Sequence, residues 1–141
     1  MKPEVNFFKE DVQFRLIGKE AVSSWLADCI KKHHKKPGTL NFIFCSDEFL
    51  YSMNIKYLNH KTLTDIITFD YSEKSIISGD IFISIDRVRE NAKLLKNSIK
   101  DELHRVMIHG VLHLCGYSDK KAADKEKMTK AENKYLSLRT F

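Results

Sequence analysis

The apolar residues in the first third of the chain predict two strands separated by a helix. Residues 4–9 (EVNFFK) and 39–46 (TLNFIFCS) are rich in branched and aromatic side chains, which is typical of β-strands. A helix is predicted over residues 18–36, because its apolar residues recur at helical spacing: Val22, Trp25, Leu26 and Ile30. The Pro-Gly pair at 37–38 is expected to end this helix.

The middle of the chain predicts one more helix and a pair of strands. The helix covers residues 47–58, and either Ser46 or Asp47 can cap its first turn. Residues 64–71 (TDIITFDY) and 79–85 (GDIFISI) are again rich in branched and aromatic residues, and the polar segment SEKSIIS joins them. We therefore expect these two strands to pair antiparallel.

From Asp86 onward the pattern is helical throughout. Val88, Ala92 and Leu95 mark the first of these helices, and two further helices are predicted over residues 99–115 and 122–138. Strands interleaved with helices early in the chain, followed by helices alone, indicate an α+β or mixed-sheet domain. In such a domain the helices pack against a small sheet.

Length and composition predict a single folded domain over residues 1–141. The chain is 43% hydrophobic and contains only 5 Gly and 2 Pro, without the linkers or repeats of a multidomain or solenoid protein. Lys and Arg number 24 against 19 acidic residues, a net charge of +5 that permits nucleic-acid binding without establishing it. The densest basic run, KKHHKKPG at 31–38, suits either a helix C-terminus or contacts with phosphate.

Several features favour a cytosolic protein of bacterial type. The first fourteen residues are interrupted by charges, unlike a secretory signal, and no run approaches the ~20 apolar residues of a membrane span. The three cysteines, Cys29, Cys45 and Cys115, are odd in number and widely spaced. This arrangement suits reduced thiols rather than a disulfide framework, and we predict a cytoplasmic protein that does not bind membranes.

The segment HGVLHLCGYSDK, residues 109–120, predicts a metal site. His109 and His113 are four residues apart on a predicted helix, so both imidazoles can reach one point. The alternative is that each histidine bonds a backbone carbonyl, which is the more common fate of a single buried histidine. Two histidines on an otherwise apolar helix, followed by the helix-ending Gly116, instead resemble the metal helix of zincins.

Asp119 is the candidate for a third ligand, because no histidine follows His113. Three protein ligands with one open position are usual for catalytic zinc, and a carboxylate oxygen is an ordinary zinc ligand. In the alternative interpretation, Asp119 caps a helix that begins near Lys120. The residue after the first histidine is Gly110, where HExxH proteases carry a glutamate base, and this argues against a standard zinc protease.

The same residues resemble the YbeY family of endoribonucleases and rRNA maturation factors, also known as UPF0054. The family pattern H-G-x-L-H-L-x-G-Y-D-H is matched at His109, Gly110, Leu112, His113, Leu114, Gly116 and Tyr117, and departs at Ser118 and at Asp119, which stands for the third histidine. A second segment, MNIKYLNHKTLTDIITF, matches the family at Asn54, Tyr57, Thr64, Asp65 and Phe69, and GDIFIS resembles its G-D-I strand.

The resemblance implies an α+β fold with a four-stranded mixed sheet, five or six helices and a basic groove leading to one bound zinc ion. It also implies cleavage of single-stranded RNA, small-subunit rRNA 3′-end processing, and a role in ribosome quality control on the small subunit. An arginine that the family uses in RNA handling aligns with Leu58 here. We therefore expect the nearby Lys56, His60 and Lys61 to supply the positive charge.

Two other functions stay open at this point. A metalloprotease needs a base near the metal and a groove for a peptide, and neither is visible in the sequence. A zinc-stabilised ribosome assembly factor that binds rRNA without cutting it needs only the metal site and positive charge. In the nuclease hypothesis, the metal activates water and polarises a phosphodiester oxygen, or it activates the RNA 2′-hydroxyl, and no general base can be named.

Overall fold

The computed structural model describes residues 4–58 and 64–141, which form four strands and five helices. The strands are β1 (Glu4–Lys9), β2 (Lys36–Cys45), β3 (Ile66–Asp70) and β4 (Ile76–Ser84). The helices are α1 (Lys19–Lys32), α2 (Asp47–Leu58), α3 (Ile85–Leu95), α4 (Ile99–Leu114) and α5 (Ala122–Ser137). The predicted α+β class is confirmed.

The strands form one mixed sheet in the order β1-β2-β4-β3. β1 and β4 both run parallel to β2, whereas β3 runs antiparallel to β4. This arrangement confirms the four-stranded mixed sheet and the predicted antiparallel pair. β3 lies at one edge of the sheet, and α4 packs against both β3 and β4.

The core lies between the sheet and the helices around α4. Alternate residues of the strands point into it, and α4 is apolar on several sides because it also contacts α1, α3 and α5. Fully buried side chains from the two central strands and α4 include Leu40, Phe42, Ile81, Ile83, Met107, Ile108 and Leu112. Each such burial stabilises the fold by roughly 1.5–3 kcal/mol before entropy is counted, so α4 is held firmly in position.

The end of the first helix differs from the sequence prediction. α1 stops at Lys32 and not at residue 36, because His34 has a left-handed backbone with φ 60° that turns the chain. The backbone N–H of Lys36 then donates to the Ser75 carbonyl at 2.7 Å, and β2 begins there. The Pro-Gly pair therefore lies inside a strand, at an irregularity in its pairing with β4, and does not end the helix.

Other boundaries differ by a few residues. β4 begins at Ile76 and not at residue 79, because a tight turn pairs Glu73 with Ile76 and starts the strand early. Ser46 caps α2, since its hydroxyl accepts a hydrogen bond from the Phe49 backbone N–H at 3.1 Å. In α3 the predicted apolar face is only partly buried, because Leu95 at its end is 61% exposed.

The cysteines agree with the expectation of free thiols. All three cysteines are buried and free, and none forms a disulfide. Burial raises the pKa of Cys29 and Cys45 to about 12, so both thiols keep their protons at neutral pH. Among the helices of residues 4–58 and 64–141, none has the length and apolar character needed to cross a bilayer.

Candidate metal centre

His109 and His113 project from one side of α4, a single helical turn apart. Their ring centroids are 4.5 Å apart and the ring planes meet at 82°. The helix begins with Ser98 at its N-cap, where the side chain accepts a hydrogen bond from the Asp101 backbone N–H. Because the helix is well capped and deeply packed, both histidines are held at fixed positions relative to the sheet.

The chain turns back toward these histidines immediately after α4. Gly116 adopts φ 108°, a backbone conformation that residues with a Cβ rarely adopt. Its N–H donates to the His113 carbonyl, and the Tyr117 N–H donates to the Leu112 carbonyl, both at 3.0 Å. This pair of bonds is a Schellman motif, and it sends residues 117–121 back along the helix.

The turn brings Asp119 to the two histidines. Its Oδ2 atom lies 3.4 Å from Nε2 of His109 and 3.3 Å from Nε2 of His113. Zinc bonds of about 2.0–2.1 Å at tetrahedral angles separate neighbouring ligand atoms by about 3.3 Å. The three donor atoms all lie within 4.8 Å of one another, so this cluster could hold a metal ion.

The alternative role for Asp119 as a helix cap is wrong. The helix predicted to begin near Lys120 begins at Ala122, and its N-cap position is Lys121, with no hydrogen bond from a side chain. The Asp119 side chain is 43% exposed and instead faces the two histidines. Since the two histidine side chains are 22% and 28% exposed, the cluster is open to a substrate on one side.

The second nitrogen of each imidazole is tied to a hydrogen-bond acceptor. His113 Nδ1 donates to the Tyr117 backbone carbonyl at 2.9 Å, and His109 Nδ1 donates to Oε2 of Glu132 at 2.6 Å. A carbonyl oxygen carries no proton, so Nδ1 of His113 must carry one, and Nε2 of the neutral ring then has a free lone pair. Histidine ligands of metals are usually oriented in this way.

Glu132 on α5 bridges His109 of the cluster and Arg105. Its Oε1 accepts a hydrogen bond from Arg105 at 2.8 Å, while Oε2 accepts from His109. Burial raises the pKa of Glu132, but the bonds from His109 and Arg105 outweigh it and bring this pKa below the usual range. Burial lowers the pKa of His109, and Glu132 outweighs that in turn, leaving it above its usual range. Glu132 is therefore ionised at neutral pH.

The cluster lies in a cleft of about 900 Å³ between β3 on one side and α4 with the following loop on the other. Three further carboxyl groups line this cleft: Asp65, Asp70 and Glu102. Burial raises the pKa of Asp65 and Glu102, and the charge of Glu132 raises both further. A carboxyl group with a raised pKa can act as a general acid closer to neutral pH.

Gly110 faces away from the cleft. A Cβ placed there would lie 3.0 Å from Cδ1 of Ile66 and 3.1 Å from Cγ2 of Ile81, because α4 crosses the sheet closely at this point. A glutamate at position 110 would therefore clash with the sheet. The geometry gives a physical reason for the missing HExxH base.

The basic run at 31–38 meets the back of the metal loop. Nδ1 of His33 donates to the Cys29 carbonyl at 2.8 Å, so its Nε2 accepts from the Tyr117 hydroxyl at 3.0 Å. Lys35 Nζ donates to the Cys115 carbonyl at 3.2 Å. Lys31 and Lys32 lie in the last turn of α1, as the helix C-terminus interpretation predicts, whereas Lys36 already belongs to β2, and contacts of the run with phosphate stay a prediction. Two of its side chains thus hold the loop that carries Asp119.

The predicted RNA-binding residues are only partly described. Lys56 is exposed on α2, with Nζ 5.1 Å from the centre of the Tyr57 ring. His60 and Lys61 lie outside the described residues. Leu58, which replaces the family's arginine, lines the cleft together with the cations Arg105 and Lys120. RNA binding by Lys56, His60 and Lys61 stays a prediction.

A comparison with protein families identifies the chain. A family model described as Endoribonuclease YbeY matches residues 6–139. The chain belongs to this family. A protein named Endoribonuclease YbeY from Cytophaga hutchinsonii is 53% identical over 143 residues, covering all of both chains. One of the same name from Flavobacterium johnsoniae is 47% identical, covering 93% of this chain and 94% of the relative.

A solved structure has the same fold. The solution structure of a Thermotoga maritima protein matches with a TM-score of 0.66 and 26% sequence identity. The match covers 94% of this chain and 87% of that one. The resemblance in the motifs around His109 and Asp65 therefore extends over residues 6–139 and to the fold.

The sequence did not point to the residues that support the cluster. Glu132 lies on α5 between Met128 and Tyr135, at the helical spacing of a buried face. A carboxylate on an apolar face was the available signal for a buried ion pair. The role of the Tyr117 backbone carbonyl could not be predicted from the sequence, because every residue has a backbone carbonyl.

Proposed function

We propose that this chain is a single-domain, zinc-dependent endoribonuclease that cuts single-stranded RNA in the cytoplasm. Relatives named Endoribonuclease YbeY, 53% and 47% identical over nearly the whole chain, support the ribonuclease activity. The family resemblance adds small-subunit rRNA 3′-end processing and ribosome quality control, with rRNA and the small ribosomal subunit as partners.

One observation supports metal dependence above all others. Both imidazoles use Nδ1 as a donor, so each neutral ring turns the lone pair of Nε2 toward the same point as one carboxylate oxygen. Oδ2 of Asp119 lies 3.4 Å and 3.3 Å from the two Nε2 atoms, and a metal ion between the three atoms would lie within bonding distance of all of them. Two nitrogen donors and one oxygen at tetrahedral spacing favour zinc, one ion per chain.

The chemistry divides between the ion and the side chains around it. A bound zinc ion supplies a Lewis acid for a phosphodiester oxygen and lowers the pKa of water toward neutrality. His109, His113 and Asp119 would hold the ion, while Glu132 keeps the His109 ring in the orientation that presents Nε2 to the cleft. Lys120 lines the same cleft and offers positive charge to the phosphate groups of the strand.

Contacts with more distant phosphates belong to Lys56, His60 and Lys61 in this proposal. Lys56 is exposed at the end of α2, just before Leu58 reaches the cleft wall. Without the family's arginine at position 58, the charge for RNA must come from neighbouring residues. The net charge of +5 is consistent with this role.

A comparison of wild-type protein with His113→Ala tests the proposal. Both are purified identically without chelator, and their metal content and their rate of cleaving a single-stranded RNA are measured. We expect about one zinc per wild-type chain, and loss of both metal and cleavage in the variant. His34→Asn, a change at an exposed histidine that does not line the cleft, serves as the matched control.

Each other outcome has a definite meaning. Full metal occupancy in His113→Ala contradicts the ligand assignment, and equal RNA decay in both preparations indicates a contaminating nuclease. A wild-type protein that binds zinc and RNA but cuts nothing supports the alternative of a non-catalytic, zinc-stabilised rRNA-binding factor. The clash at position 110 leaves a metalloprotease without its usual base.

A further inference from the structure

The outer edge of β3 leaves backbone groups without a strand partner. β3 is the last strand of the sheet and pairs only with β4. The Ser84 N–H donates to the Asp65 carbonyl and the Tyr71 N–H donates to the Ser78 carbonyl, both at 3.0 Å. In an antiparallel pair alternate residues bond the neighbour, so the odd-numbered residues from 65 to 71 face β4. The even-numbered residues direct their N–H and C=O groups outward.

Only part of this outward edge is free. The Thr64 hydroxyl donates to the Ile66 carbonyl at 3.2 Å and lies 3.5 Å from the Ile66 N–H, so it covers the first outward position. Within residues 4–58 and 64–141, the backbone N–H and C=O of Thr68 have no hydrogen-bond partner. Asp70, the next outward position, ends the strand.

The free edge borders the same cleft as the metal cluster. Thr68 and Asp70 line it on the β3 side, opposite His109, His113 and Asp119. The metal cluster and the free backbone pair of Thr68 therefore face one continuous space. A ligand bound at the cluster passes along the edge.

We propose that the open edge of β3 at Thr68 binds the hydrogen-bonding edge of an unpaired base in the RNA strand. This inference rests on the proposed ribonuclease function and adds a reason for single-strand selectivity. The edge of a nucleobase offers donors and acceptors side by side, which match one N–H and one C=O. In a duplex the Watson–Crick groups are already paired, so only an unpaired base can bind there.

Charge and length favour a base over the other groups that could occupy this edge. A phosphate would meet the Thr68 carbonyl and the Asp70 carboxylate, both of which repel an anion. A peptide that adds to the sheet as a fifth strand needs a longer run of free positions, because only every second residue of a strand directs its N–H and C=O groups to the same side. With Ile66 covered by Thr64, only Thr68 and Asp70 remain.

The test combines a change in the substrate with a change in the strand. Single-stranded RNA oligonucleotides are prepared in which one base at a time is replaced by abasic ribose, and kcat/KM is measured for each. For the zinc-loaded wild type, we expect an abasic ribose at one position to lower kcat/KM about tenfold, the effect of losing one or two hydrogen bonds.

Thr68→Pro removes the outward N–H without removing a bond to β4, and proline is tolerated at such edge positions. We expect this variant to lose most of the preference for intact over abasic RNA, because only the carbonyl at position 68 is left to bind the base, while the matched Thr68→Ala keeps the tenfold difference. Zinc content and thermal melting verify that both variants fold.

A Thr68→Pro variant that keeps the full preference overturns the inference, as does a wild type indifferent to every abasic position. The inference is also overturned if an extended peptide inhibits RNA cleavage by the wild type and by Thr68→Ala but not by Thr68→Pro. A wild type that cuts no RNA at all refutes the proposed function instead.

Discussion

Helix α4 carries three histidines, and the pKa of His104 is lowered whereas that of His109 is raised. His104 is buried between Trp25 and Phe141, with ring centroids 5.6 Å and 5.5 Å away. Its Nδ1 accepts a hydrogen bond from Arg139 at 2.8 Å. Burial and the charge of Arg139 lower the pKa of His104 to about 4, so this ring is neutral and structural.

His109 lies five residues further along and about 140° around the helix. Burial lowers its pKa too, but Glu132 accepts from its Nδ1 and outweighs that effect. The difference between His104 and His109 comes from the neighbour that each ring meets, a cation in one case and a carboxylate in the other. Residue type alone does not separate a structural histidine from a candidate ligand.

The comparison predicts that the third ligand has the largest effect. Asp119→Ala removes a donor from the open side of α4 and should weaken zinc binding roughly 100-fold or more, comparable to the largest effects known for groups around metal sites. Asp119→His restores a third ligand and should retain zinc. Isothermal titration of both variants measures this, and wild-type affinity in Asp119→Ala would contradict the ligand role.

Asp119→His also changes the charge of the site. Two neutral imidazoles and one carboxylate give a zinc site of +1, whereas three imidazoles give +2. We expect the pH profile of RNA cleavage in this variant to shift to lower pH, and manganese to compete less well with zinc than in the wild type. An unchanged profile would show that the carboxylate does not set the acidity of the site.

The buried side of α4 should control acid stability. The pKa of His104 is about 4 when folded and about 6.5 when unfolded, so the unfolded chain binds more protons between these values. The stability due to the neutral ring is present above pH 6.5 and is lost as the pH falls toward 4. The loss by pH 4.5 should be roughly 2 kcal/mol.

Urea unfolding at pH 7 and pH 4.5 measures this dependence. His104→Asn keeps an acceptor for Arg139 but cannot be protonated, so its free energy of unfolding should change less between the two pH values. The exposed His34→Asn variant should behave like the wild type. Equal pH dependence in wild type and His104→Asn would contradict the role of His104.

The smallest effect should come from the group that orients His109. Glu132→Gln keeps an acceptor for Nδ1 but loses the negative charge, and zinc affinity should fall about tenfold. Glu126→Gln is the matched control, because Glu126 lies on the same helix and pairs with Lys130 at the surface. If Glu132→Gln binds zinc as tightly as the wild type does, the charge of Glu132 and the raised pKa of His109 do not contribute to metal binding.

Local spacing in the sequence was sufficient to predict the metal cluster but not its supports. His109 and His113 share a helix turn, and Gly116 with the short loop returns Asp119, so all three are linked by rules that act over eleven residues. Glu132 reaches His109 only because α5 packs against α4, a contact that depends on tertiary packing. The same limit explains the boundary of α1, where His34 turns the chain before the Pro-Gly pair.

The family resemblance predicted a mixed sheet of four strands, whereas the pattern of residues predicted an α+β or mixed-sheet domain and one antiparallel pair without the strand order. Strand order depends on which elements pair over long distances, and β2 and β4 pair across about 40 residues. The open edge of β3 could not be foreseen, since it follows from the hydrogen-bonding parity of the pair with β4. Lys56, His60 and Lys61 remain predictions from sequence alone.

The hydrogen bonds at Nδ1 of His109 and His113 have a consequence for the rate at which metal exchanges. Both rings are immobilised before any ion arrives, so binding does not have to freeze their rotation, a cost of roughly 0.5–1.5 kcal/mol for each side chain. A site preorganised in this way binds an ion more tightly, and tighter binding usually takes the form of slower release. An ion bound there should therefore be retained through dilution.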